Sequence, residues 1–297
     1  MNNENIVFSC VVDDKPIFRW QGDIFIKTLI HGASVEPESI YIHVVDADGA
    51  YVEKLKKLGV NVEAVERWGD GKYCNKLAQF DNCRFRDSKY VFLCDCDLAF
   101  AGNVNSVADI HRDSIVGKVV DANNPPLEML VDIFSRYELK IPRVVDAVGG
   151  KTFENNCNGG FLGIPSDCFY GFGRLWREYA SQLLNDKEVL AMLGDKKHHV
   201  DQISFCMALN KKRFKFNPIN VAFNAPTHSR QFLESVEVEL DDESPMVVHY
   251  HSNFDYDGFL RPTGVSLIDK SIEKINRTIM DVFDPELRSD YLRSIDS

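Results

Sequence analysis

Hydrophobic positions in the first hundred residues alternate between short continuous apolar runs and stretches of helical spacing. Runs at 6–12, 40–45, 60–65 and 90–94 have the length of buried strands, and apolar residues in 20–30, 51–58 and 73–80 recur at helical period. The first run ends in Asp13-Asp14 and the second in Asp46, while Gly59 stands just past the second helical stretch, the position glycine takes at a helix C-terminus. Repeated strand–helix alternation predicts an α/β fold, with a mostly parallel central sheet flanked by helices. No Gly-x-Gly-x-x-Gly follows the first strand and no Gly-Lys-Ser/Thr occurs, which disfavours a dinucleotide-binding Rossmann domain and a P-loop.

Beyond residue 100 the pattern is less regular. A strand is expected at 115–120, turn material at 121–126, a helix at 127–137, and a polar, Asn-rich loop at 149–158. A short apolar segment at 159–164 precedes a long helix at 168–184. The segment 199–209 is apolar almost all round, as a buried helix would be, with Asp201 and Gln202 in its first turn. A last strand is expected at 246–250, a polar stretch at 251–258, and helices at 268–280 and 285–295. With no repeat and no low-complexity linker, the expectation is one continuous domain over 1–297 with an irregular C-terminal half.

Composition narrows the class. The chain is 44% hydrophobic and 27% charged, ordinary for a globular protein with a real core. A formal net charge of −11, with only the short basic runs Lys196-Lys197-His198-His199 and Lys211-Lys212-Arg213, makes nucleic acid an unsuitable partner. The polar start Met1-Asn2-Asn3-Glu4-Asn5 and the lack of any membrane-length apolar run lead to the expectation of a cytoplasmic protein without signal peptide or transmembrane segment. The eight cysteines are scattered without a Cys-x-x-Cys pair and read as reduced thiols.

Candidate chemistry centres on the run Tyr90-Val91-Phe92-Leu93-Cys94, which ends in Asp95-Cys96-Asp97. Parallel sheets place their ligands beyond the carboxyl ends of the strands, and alternate residues of an extended chain point the same way. Asp95 and Asp97 can therefore serve one site, and two hard oxygen ligands suit Mg²⁺ or Mn²⁺ with phosphate oxygens. A bound cation would also offset the acidic average charge toward an anionic ligand. Two solvated aspartates at a strand end are the plainer alternative.

An apolar strand followed by Asp-x-Asp resembles the metal-binding motif of nucleotide-sugar glycosyltransferases of the GT-A fold. Five further segments, in order over roughly residues 6–265, resemble the family 8 glycosyltransferases grouped with glycogenin and bacterial galactosyltransferases. They are the opening strand ending in Asp13, Asn75-Lys76-Leu77, Asn158-Gly159-Gly160, Asp201-Gln202, and Val247-Val248-His249-Tyr250-His251. The resemblance implies a GT-A domain with a nucleotide-binding half (1–100), a donor/acceptor half (101–265) and C-terminal helices (266–297). It implies that Asp95, Asp97 and a histidine hold Mn²⁺ or Mg²⁺; His249 is the first choice, with His251 open because the two alternate on one strand face. It further implies that Asp13, Lys76, Asp95 and Arg261 contact the nucleotide, and that Asn158, Asp201 and Gln202 orient the donor sugar. Arg261 stands in place of the family's Lys after Gly258, at a longer spacing from His249.

The function so implied is metal-dependent transfer of a sugar, with a UDP-sugar as the expected donor, to a hydroxyl acceptor such as a glycan, with retention of anomeric configuration. If Asp201 instead faced the acceptor hydroxyl it could act as a general base, and the reaction would invert. Two other classes remain open. A haloacid-dehalogenase-type phosphotransferase would use Asp95 as nucleophile, but such chains carry Asp-x-Asp on their first strand. A catalytically silent sugar-nucleotide binder would keep the site without turnover.

Overall fold

The computed structural model describes residues 5–211, 214–228, 233, 240 and 242–295. The N-terminal stretch 1–4, the basic residues Lys212 and Arg213, and the C-terminal pair 296–297 lie outside the described residues. In chain order the elements are β1 (Ile6–Asp13), α1 (Pro16–Lys27), β2 (Ile40–Val45), α2 (Gly49–Lys57), β3 (Asn61–Val65), β4 (Tyr90–Cys94), β5 (Leu98–Phe100), α3 (Asn105–Ile110), β6 (Ile115–Val119) and α4 (Leu127–Arg136). They continue with β7 (Val144–Ala147), β8 (Gly150–Phe153), β9 (Cys157–Pro165), α5 (Ser166–Asn185), α6 (Lys187–Leu193), α7 (Val200–Leu209), β10 (Phe216–Pro218), β11 (Ala225–Pro226), β12 (Val247–His249), α8 (Ser266–Val282) and α9 (Pro285–Ile295). The molecule is a mixed α/β fold whose main sheet has the order β10-β6-β9-β4-β1-β2-β3.

The chain divides into two compact units. The second, like the first built from three chain segments, comprises Val7–Val65, Cys94–Ile110 and the chain from Asn220 onward. Here β1, β2 and β3 pair in parallel, with Asp13 opposite Val45 and Val45 opposite Val65. Their carboxyl ends therefore share one edge, where Asp13, Asp14 and Asp46 follow. β1 is buried along nearly its whole length, which explains its continuous apolar run. Helix α1 begins with Pro16, whose fixed φ suits a first turn, and buries Trp20, Ile24 and Phe25. Gly32 is needed because a Cβ there would lie 2.2 Å from the Phe100 carbonyl oxygen. α8 buries Ile268, Ile272, Ile275 and Ile279, one stripe at helical spacing. A small second sheet, β11-β12-β5, carries the histidine strand at its centre.

The first unit comprises Glu66–Leu93 and His111–Ile219, with the N-terminal end up to Ile6. β9 runs antiparallel to β6, and β10 parallel to it. The long helix α5 supplies Phe172 and Trp176, which meet Phe205 of α7 edge to face at 5.3 and 4.9 Å. α7 is buried on nearly every side, as its all-round apolar sequence implies.

Two local expectations are corrected. Residues 73–80 do not form an α-helix: Tyr73–Asp81 is a 3₁₀ helix. Cys74, Asn75, Leu77, Ala78, Gln79 and Phe80 of this tighter helix are buried, and Asp70 accepts from the Lys72 and Cys74 amides at its start. Residues 149–158 are not an irregular loop. They form part of a β7–β8 hairpin and the beginning of β9. The hairpin turns at Val148-Gly149, and Gly150, the first residue of β8, has φ +124°, a conformation that favours glycine.

Candidate active site

Within the second unit, β5 and β12 bring three metal-ligating side chains together. β12 pairs antiparallel with β5, setting His249 opposite Leu98, and the Tyr250 amide donates to the Asp97 carbonyl at 3.1 Å. His249 Nε2 then stands 3.2 Å from Asp97 Oδ1, and His251 Nδ1 3.5 Å from Asp97 Oδ2. Ligand atoms of Asp97, His249 and His251 all lie within 4.8 Å of one another. Donors around one octahedral ion at about 2.1 Å stand roughly 3 Å apart, so these separations are of the right size for a shared cation. Burial alone would raise the Asp97 carboxyl, but the facing imidazoles of His249 and His251 outweigh it and hold it well below the usual carboxylate range.

The surroundings aim these donors. His249 Nδ1 lies 3.0 Å from Asn224 Oδ1. With its Nδ1 proton donated there, the ring turns Nε2 toward Asp97; a protonated Nε2 donates to the carboxylate, and a cation taking that proton's place would meet the lone pair, the arrangement that outer hydrogen bonds give to metal-ligating histidines. His251 has φ +54°, a costly conformation for a residue with a Cβ. Gln21 Nε2 holds its carbonyl at 2.6 Å. His251 Nε2 is buried without a hydrogen-bond partner. One carboxylate and two imidazoles suit Mn²⁺ or a similar transition ion.

Within the first unit, a second polar cluster forms around α7. Trp176 Nε1 donates to the Asp201 carbonyl at 2.8 Å and to Ser204 Oγ at 3.1 Å, so the aromatic core fixes the turn that carries Asp201 and Gln202. Lys76 Nζ lies 3.1 Å from Asp201 Oδ2 and donates to the Gly159 carbonyl at 3.2 Å. Both charged side chains are largely buried, 12% and 6% exposed, so removing either would leave the other an uncompensated buried charge. A Cβ on Gly159 would meet Lys76 Nζ at 2.8 Å, Asp201 Oδ2 at 3.4 Å and Gln202 Cγ at 3.6 Å. Asn158 Oδ1 accepts the Gly160 amide at 2.8 Å. Four residues singled out from sequence, Lys76, Asn158, Asp201 and Gln202, thus gather on this unit around one glycine.

Other candidates are placed differently. Asp95 lies outside the group of three in the second unit. Asp13, at the end of β1, is half-buried with Lys15 Nζ 3.9 Å away. Arg261 donates to the Phe254 carbonyl at 2.8 Å and its amide to Asn253 at 2.9 Å, so it fastens its own loop. Sequence reading missed Asn224. Asn224 is brought to His249 by the parallel pairing of β11 with β12, and no local pattern signals that.

No family model matches the chain. No curated protein matches it. Among solved structures, the galactosyltransferase LgtC, determined with donor and acceptor sugar analogues, is similar at 14% identity and TM-score 0.59, over 95% of this chain and 99% of that one. The glycosyltransferase GlyE of Streptococcus pneumoniae TIGR4 matches at 14% identity and TM-score 0.55, over 97% of this chain. The bifunctional glycosyltransferase WbbM matches at 12% identity and TM-score 0.56, over 98% of this chain. This chain spans 63% of the GlyE chain and 52% of the WbbM chain. The chain has the GT-A fold of glycosyltransferases. Identities this low carry the fold and leave the chemistry to the residues.

Proposed function

We propose that this protein is a metal-dependent glycosyltransferase that moves a sugar from a nucleoside diphosphate donor, a UDP-sugar, to a hydroxyl acceptor with retention. The observation that carries the reading is the Asp97–His249–His251 cluster on a chain of GT-A fold. Asp97, His249 and His251 would hold Mn²⁺, with Asp95, the other carboxylate of the run, accepting from a hydroxyl of the donor or from water on the ion. When bound, such an ion supplies Lewis-acid stabilisation of the departing diphosphate.

The protein's own residues do the rest. Asn224 keeps His249 in the tautomer whose Nε2 is a lone-pair donor. Lys76 keeps Asp201 ionised, so that Asp201 accepts hydrogen bonds from sugar hydroxyls, and adds positive charge beside the donor. Asn158 and Gln202 orient the sugar, and Asp13 accepts from the nucleoside. Arg261 contributes to nucleotide binding by holding the loop that follows His251. The transition state has oxocarbenium character, and retention needs no protein base at the acceptor. Among the described residues no helix is long and apolar enough to cross a membrane.

Incubation with UDP-glucose, UDP-galactose and UDP-N-acetylglucosamine plus Mn²⁺ tests the reading through metal-dependent release of UDP. NMR of the transferred sugar gives the anomer; a β-linked product from an α-linked donor would contradict retention. A covalent phosphoryl group on Asp95 after treatment with a phosphate donor would favour the phosphotransferase instead.

A further inference from the structure

The Lys76–Asp201 pair is the inner of two contacts between the same two segments of the first unit. Lys76 belongs to the 3₁₀ helix Tyr73–Asp81. Residues three apart on such a helix eclipse one another, so Tyr73 stands one turn from Lys76 on the same side. On the facing segment His198, near the end of the 3₁₀ helix Gly194–His199, stands three residues before Asp201 of α7. The Tyr73 and His198 rings meet at 5.5 Å between centroids, tilted by 45°, as Lys76 and Asp201 meet at 3.1 Å. This outer contact is at the surface, with Tyr73 55% exposed. A lone exposed aromatic needs no explanation, but this one is one 3₁₀ turn, roughly 6 Å, from the buried pair, beside a concentration of positive charge. The segment Gly194–His199 carries Lys196, Lys197, His198 and His199 against the single acid Asp195, in a chain of formal net charge −11. Among the described residues no carboxylate pairs with Lys196 or Lys197. Lys196 Nζ donates instead to the neutral amide of Asn124, at 2.8 Å from Oδ1, and Asn124 Nδ2 lies 3.2 Å from His199 Nε2. That partner takes one of the three protons of the ammonium and none of its charge.

We propose that Tyr73, His198, Lys196 and Lys197 form the subsite for the acceptor, and that the acceptor is an acidic saccharide, one bearing a phosphate or a carboxylate. If Asp201 orients the donor sugar, as the sugar-transfer reading on which this rests has it, an acceptor hydroxyl must come to that same sugar. The acceptor ring then lies one step outward along the two segments, where Tyr73 and His198 meet. The face of an aromatic ring carries partial negative charge, and it suits the C–H face of a pyranose. Lys196 and Lys197 take the anionic group. A neutral glycan would use the aromatic pair alone, whereas an anionic one gains charge-assisted hydrogen bonds about twice as strong as neutral ones. The negative charge of the rest of the chain repels such a ligand, so these cations also decide where it docks.

Saturation-transfer NMR on the full chain, with UDP and Mn²⁺ present, tests this with three monosaccharide probes: glucose 6-phosphate, methyl glucuronide and methyl glucoside. At least one acidic probe should bind about tenfold more tightly than methyl glucoside, the worth of one charge-assisted hydrogen bond, and added salt should shrink the preference. Preference for the phosphate or for the uronate names the anionic group, and either supports the proposal. Lys196→Gln and Lys197→Gln should each remove most of the preference, which separates binding here from phosphate binding at the cation, and Tyr73→Ala should weaken all three probes. Lys187→Gln removes an exposed charge from α6 of the same unit and should change nothing. Urea unfolding checks that each variant is folded. Equal binding of the three probes, a preference that both lysine variants leave intact, or a Tyr73→Ala that binds like the wild type would overturn the proposal. UDP bound with Mn²⁺ but no probe bound would overturn it and leave the sugar-transfer reading standing. Acidic probes bound through Tyr73 and Lys197, with no UDP bound, would count against that reading and leave the acidic-saccharide site standing.

Discussion

His249 and Asn224 form a buried pair in which Nδ1 of the ring meets Oδ1 of the amide at 3.0 Å, and the opposite nitrogen is thereby aimed at Asp97. The pair explains how a strand of only three residues, Val247–His249, can present a ligand in one orientation. β11 and β12 run side by side, and the amide arrives from the turn just before β11. Replacing Asn224 by Leu should weaken Mn²⁺ binding by about 10- to 100-fold, the usual effect of losing an outer hydrogen bond to a metal-ligating histidine. Asn224→Asp retains an acceptor and should stay near wild type. Electron paramagnetic resonance of free Mn²⁺ reads both; equal affinity in Asn224→Leu would remove the assigned role.

The Lys76–Asp201 pair makes a second prediction. Lys76→Met leaves a carboxylate that is 6% exposed without its cation, and should cost about 3–5 kcal/mol of unfolding free energy, as for other broken buried pairs. Gly159→Ala is milder. Its new methyl collides with Lys76 Nζ, the end of a long side chain, so Lys76 can withdraw at a cost of about 1–3 kcal/mol. Both should reduce turnover of the donor more than they reduce Mn²⁺ binding. Urea unfolding monitored by tryptophan fluorescence gives the stabilities, and a Gly159→Ala variant as active as the wild type would refute the tight fit.

Asp23 gives a pH dependence of known sign. Burial pushes its carboxyl up to about 6, against the pull of the Asp284 amide at 3.1 Å and of Lys27. The unfolded chain has the ordinary value near 4. Because the folded form binds the proton more tightly, stability rises as pH falls from about 6 toward about 4, and ionisation above that window costs up to about 3 kcal/mol. Asp23→Asn still offers an oxygen to the Asp284 amide. It should be more stable than the wild type at about pH 7.5, and the difference should shrink toward about pH 4. Thermal unfolding across this range checks it; a destabilised Asp23→Asn at neutral pH would reverse the assignment.

Much of the fold was legible where long elements repeat their pattern. β4 ends at Cys94 as its apolar run indicates, and α7 and α9 begin within a residue or so of their expected starts. The three-residue strands β5, β10 and β12 and the two-residue β11 are too short to show a period. The Tyr73–Asp81 helix was misread because three- and four-residue spacings overlap over nine residues. At the candidate site, Asp97 and His249 were visible as polar residues ending apolar runs, and His251 as their alternate. Asn224 was not, because it acts through a partner that only the folded chain supplies.

The central claim, that Asp97 helps to hold a cation serving a nucleoside diphosphate, is tested most directly by calorimetric titration of UDP, with GDP as comparison, in the presence and absence of Mn²⁺. The account predicts that the wild type binds UDP only with Mn²⁺ and that Asp97→Asn loses this binding. No binding of either nucleotide with any divalent metal, or binding that Asp97→Asn leaves unchanged, would contradict it.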